Sequence, residues 1–85
     1  MNASLIAPGM VCEVTHTTTC QWFSDEALVV GLDPIRHHMG SLTLYSGDAF
    51  TIVAVVETTA LVRASGALVG IWTKFLQPSL SVVPA

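Results

Sequence analysis

Charge is what this chain has least of. Of its 85 residues three are lysine or arginine and six are aspartate or glutamate, so 11% is charged and the formal net charge is −3. An ordinary soluble domain carries about 25% charged residues. Arg36, Arg63 and Lys74 are too few to build the basic stripe that neutralises phosphates, which argues against a nucleic-acid partner. The same shortage disfavours an anionic membrane surface, and no apolar run approaches the roughly 20 residues that span a bilayer. Cysteine is scarce as well. Cys12 and Cys20 are expected to be reduced and to serve as small apolar residues, the alternative being a bridge between antiparallel neighbours across a turn. Residues 1–9 lack the positive flank and long apolar core of a secretory leader, so secretion is not expected and the acceptor-like Asn2-Ala3-Ser4 is expected to be unused.

Constellations that carry chemistry are thin too. His16, His37, His38, Cys12 and Cys20 are the right residue types for zinc, but their spacing fits no ligand signature. Adjacent histidines on an extended chain point opposite ways, so His37 and His38 would not share one ion. No nucleophile elbow or glycine-rich oxyanion loop frames a serine. Asp25, Glu26 and Asp33 fall in turn-like stretches, where carboxylates commonly cap backbone groups. The sequence therefore implies no catalytic residue, no metal and no cofactor.

What is abundant is apolar side chain, at 52% of the chain. A domain of this size hides only about 60–65% of its unfolded surface, so many aliphatic residues must lie outside or be covered by another chain. Alternation, the signature of strands, runs through most of the sequence. Residues 10–16 alternate with Met10, Cys12 and Val14 on one face. The runs TTCQWF and ALVVGLD flank Ser24-Asp25-Glu26 and read as a hairpin arm, with a short helix starting at Ser24 as the alternative. Asp33-Pro34 turns the chain, and IRHHMG reads as irregular. A short strand at 42–45 is followed by the Ser46-Gly47-Asp48 turn. In the next strand Phe50, Ile52, Ala54 and Val56 alternate with Thr51, Val53, Val55 and Glu57. Both faces are largely apolar, so the outer face, with Val53 and Val55, is expected to be covered. Thr58-Thr59 bends the chain into a strand at 60–64, Ser65-Gly66 makes a tight hairpin, and residues 67–72 form its partner. A single 3₁₀ turn at 73–75 precedes a closing segment at Leu76-Gln77.

Over residues 41–78 this order resembles the second half of an SH3 domain. Leu42, Leu44, Gly47, Asp48, Phe50 and Ile52 are similar to that family's core-and-turn sequence around its Gly-Asp pair. Ser65-Gly66 resembles the distal hairpin, and Gly70-Ile71-Trp72 with Phe75-Leu76 the closing segment. The resemblance implies an all-β fold: a single small five-stranded SH3-like barrel over 10–78, with a long first-loop hairpin arm, an N-terminal arm at 1–9 and an apolar C-terminal tail at 79–85. It does not extend to the family's peptide groove. Thr59, Ala60 and Leu61 stand where the groove tryptophan would be, Thr73 replaces the groove proline, and residues 10–20 lack the tyrosine-rich opening motif.

Low charge and apolar chain ends point to a non-enzymatic assembly protein, in the manner of the cement and decoration proteins of tailed-phage capsids. Its expected partners are copies of itself, as a trimer or other closed oligomer, or a larger shell protein. The expected interface residues are Trp22, Phe23, Tyr45, Val53, Val55, Trp72, Leu80, Val82 and Val83. The location would be the virion for a phage protein and the cytoplasm otherwise. The alternative is a soluble SH3-like adaptor or inhibitor that binds a peptide or a host protein, with Trp22, Phe23, Tyr45 and Trp72 as aromatic anchors.

Overall fold

The alternating runs become seven strands. A computed structural model describes residues 6–79. The strands are β1 (Val11–Val14), β2 (Thr18–Phe23), β3 (His38–Leu44), β4 (Ala49–Val56), β5 (Thr59–Ala64), β6 (Ala67–Trp72) and β7 (Leu76–Pro78). Two single-turn helices, α1 (Ala27–Val30) and α2 (Pro34–His37), stand between β2 and β3. All pairings are antiparallel, in the order β3-β2-β6-β5-β4-β1-β7.

The all-β expectation holds, but a closed five-stranded barrel is not what forms. The sheet has seven strands and stays open between β3 and β7. Two segments account for the difference. TTCQWF, read as one side of a loop arm, is a full strand that bridges β3 and β6. His38–Gly40, read as irregular, extends the short strand at 42–45 backwards into a seven-residue edge strand. In place of the hairpin arm, α1 (Ala27–Val30) forms near the short helix that was the alternative, starting three residues after Ser24, and α2 (Pro34–His37) takes the place of the Asp33-Pro34 turn and the first residues read as irregular.

Although open in its hydrogen bonding, the sheet curls, because one face of all seven strands feeds a single core. Cys12, Val14, Cys20, Leu44, Ile52, Ala60, Val62, Ala64, Val69, Ile71 and Leu76 are buried together there with Ile6. The β3–β4 turn is tied across to β1: Gly47 N–H donates to the Val14 carbonyl, and Val14 N–H to the Asp48 carbonyl, both at 2.8 Å. Between β5 and β6, Ala64 pairs with Ala67 across the two residues Ser65 and Gly66, whose φ values of 54° and 83° are those of a primed hairpin turn.

The corner of the curl lies in β4. Ile52 pairs with Val62 and Ala54 with Leu61, so β4 advances two residues while β5 advances one, and Val53 is the extra residue of a bulge. The bulge resets the faces: Ile52 and Val55 both meet the inner core, whereas Ala54 turns outward. The assignment of Val53 and Val55 to one outer face is therefore corrected, because an unbroken period of two cannot pass through a bulge.

Part of the outer face is covered by the protein's own chain. Phe23, Leu61 and Leu68 are buried there with Ala27 of α1, and Leu32 and Ala54 pack against them. Gly70 makes this packing possible, since a Cβ at that position would fall 2.8 Å from Phe23 Cε2 and 3.2 Å from Thr59 Cγ2.

Candidate interaction surface

The helical arm at 24–37 is built from backbone capping, with little apolar anchoring. Asp33 precedes α2 in an extended conformation, and its Oδ1 accepts from the N–H groups of Ile35 and Arg36 at 3.2 and 3.3 Å. Pro34 then occupies the first turn, where its missing N–H is not needed. His37 is the arm's buried polar residue. Its Nδ1 accepts from Asp33 N–H at 3.0 Å, and its carbonyl accepts from Ser24 N–H at 2.9 Å, which closes the arm at its base. Nδ1 as acceptor places the ring proton on Nε2, which lies 3.7 Å from Glu26 Oε1, beyond hydrogen-bond distance, and has no partner among the described residues. Arg63 of β5 holds the start of the arm through an ion pair to Asp25 at 2.7 Å.

A single helical turn can bury only one side. In α1 only Ala27 is buried, leaving Leu28, Val29 and Val30 outward, and α2 leaves Ile35 outward. Val29 is 84% exposed and Ile35 93%; Met39, at the start of β3, is also exposed. These aliphatic residues, displayed on an arm and on the edge strand leaving it, are the most apolar exposed feature of the described residues. Sequence reasoning did not single them out, because the ALVV run reads equally as buried strand or buried helix.

A second feature is a groove of about 380 Å³ beside the arm, lined among others by Gln21, Leu32, Pro34, Thr59, Gly70 and Trp72. One wall is aromatic. Trp72 and Phe75 stack with ring centroids 6.1 Å apart and planes 10° from parallel, and the Lys74 ammonium lies 4.2 Å from the Trp72 centroid. The 3₁₀ turn Thr73–Phe75 brings the two rings together.

The expected interface residues are dispersed by the fold. Phe23 is buried in the outer cluster. Trp22 is half-buried against the inner core, lying over Gly40, where a Cβ would come within 2.7 Å of its Nε1. Val55 packs against that core, and Val53 is half-buried at the bulge. Tyr45 and Trp72 are exposed. Leu80, Val82 and Val83 lie outside the described residues.

Groups with chemical potential stay apart. Cys12 and Cys20 are free and buried, as the reduced reading expects, and burial pushes both thiols above their ordinary pKa. His16 leans edge-on against Phe75, His37 is buried in the arm and His38 is exposed on β3. Among the described residues no three or more His, Cys, Asp or Glu converge as metal ligands would. Comparison with protein families, characterised proteins and solved structures gives no match to this chain.

Proposed function

We propose that the protein is a non-enzymatic assembly protein, which associates with copies of itself through apolar surface and so builds or decorates a larger particle such as a phage capsid. The observation that carries this reading is the outward display of Leu28, Val29, Val30, Ile35 and Met39. A monomer gains nothing from holding aliphatic side chains on a capped arm, whereas an oligomer buries them at about 25 cal/mol per Å². Light scattering on the full chain is the test. The wild type forms a stable oligomer at micromolar concentration, and the double variant Val29→Glu/Ile35→Glu shifts toward monomer with an unchanged circular dichroism spectrum. A wild type that remains monomeric throughout its soluble range removes the reading.

The groove favours a second reading, an adaptor that captures an extended peptide against Trp72 and Phe75. Because Trp72 is exposed, Trp72→Ala then abolishes capture without loss of fold, and an unchanged affinity rules the groove out.

A further inference from the structure

We infer that the open edge of β3 pairs with the same edge of a second copy, antiparallel and in a register centred on Leu42, joining two sheets into one. This deepens the assembly reading and rests on it. β3 ends the strand order, with β2 on its only paired side among the described residues. In an antiparallel edge strand every second residue turns its N–H and C=O away from the neighbour, and these groups form a template for another strand.

The protein guards one edge and leaves the other open. β7, at the far end, has three residues and finishes in Pro78, which has no N–H to donate. β3 has seven residues, HMGSLTL, with no lysine, arginine, carboxylate or proline among them. Such an edge can meet its own copy without bringing like charges together, as a two-fold interface requires of a self-complementary patch.

The register follows from where β3 is regular. The pairing with β2 slips between Trp22 and Phe23, leaving Met39 as the extra residue, while Gly40 to Leu44 run in unbroken register against Trp22 to Thr18. Leu42 is the midpoint of that regular segment. About a two-fold axis there, Gly40 faces the copy's Leu44 and Ser41 faces its Thr43. Beyond the bulge at one end and the end of β3 at the other, Met39 of each copy comes near Tyr45 of the other. These two are 57% and 60% exposed and bracket the edge at equal distance from Leu42. A thioether and an aromatic ring meet favourably, and the contact forms twice. An extended segment of an unrelated protein would use the edge as well, but gains nothing from that symmetric placement.

Ser41 and Thr43 are exposed, so charges placed there test the pairing without disturbing either core. Sedimentation equilibrium is run on the full chain, on Ser41→Lys/Thr43→Lys, on Ser41→Glu/Thr43→Glu and on an equimolar mixture of the two variants. The wild type associates. Each variant alone places like charges directly opposite one another twice, and associates about tenfold or more weakly. The mixture recovers association as a mixed dimer, a result that misfolding cannot produce. Variants that associate like the wild type, or a mixture that stays monomeric, overturn the β3 pairing and leave the assembly reading to the arm. A wild-type chain that is monomeric throughout its soluble range removes both.

Discussion

Two glycines in this protein are set by ring packing. Gly40 leaves room for the Trp22 indole and Gly70 for the Phe23 ring, so one aromatic from each face of β2 lies across a neighbouring strand with no Cβ beneath it. Gly70→Ala should cost about 1–3 kcal/mol, the usual penalty for an added methyl group in a packed site. Urea unfolding measures that loss, and adding Phe23→Leu should recover part of it by vacating the contact. Gly70 was legible in the sequence only as a glycine within a strand pattern, which signals a close approach without naming what approaches, and Gly40 fell in the stretch that reads as irregular. The hairpin glycine was readable in full, because Ser65-Gly66 between two alternating runs has one common solution.

At the scale of elements, the readable parts were those whose neighbours in space are neighbours in sequence. The β5–β6 hairpin and the 3₁₀ turn are such cases, whereas β1, whose partners β4 and β7 are distant in sequence, was readable from its own alternation. β3 was half missed because its first residues, His38 to Gly40, carry no alternation of their own and are extended by pairing with β2. The arm was ambiguous for a related reason: its two helical turns are too short to nucleate alone and exist through Asp33, His37 and the Asp25–Arg63 pair. Removing the cap with Asp33→Ala should cost about 1 kcal/mol. Its sharper signature is in hydrogen exchange, where amides of residues 35–37 should lose protection while those of β5 and β6 keep theirs. Uniform loss across the sheet would mean that the arm and the inner core unfold as one unit.

For the whole molecule, the candidate surface was less legible than the fold. Trp22, Phe23 and Val55 were chosen as apolar or aromatic residues in a chain short of charge, and the fold uses them for packing. The exposed set, Val29 and Ile35 foremost, comes from the arm, whose outward side depends on which single residue, Ala27, finds the outer cluster. Stability against pH is also a property of the whole core. Burial holds the Cys12 and Cys20 thiols above their ordinary value of 9.0, so the folded chain keeps both protons longer than the unfolded chain. The sign follows: this contribution is intact below about pH 9, and is lost as pH rises through the raised folded-state values. Urea midpoints taken between neutral pH and about pH 10 should fall more steeply for the wild type than for Cys12→Ala/Cys20→Ala, and parallel slopes would show that the thiols are not the cause.

Val53 has a last implication, concerning chain length. As the supernumerary residue of β4 it could be deleted and every other side chain would keep its present face, Ile52 and Val55 inward and Ala54 outward. A shortened chain would thus pass any test of hydrophobic pattern. Yet residue 53 lies just past the point where β4 exchanges one partner for another, with Ala49 to Thr51 paired to β1 and, Val53 aside, Ile52 to Val56 paired to β5. Deleting it straightens that corner and swings β1 and β7 away from Leu44 and Cys20, so the 84-residue form should bind a hydrophobic dye and melt without a sharp transition. At this position an insertion or deletion leaves the sequence's grammar intact and removes the enclosure that gives the grammar its meaning.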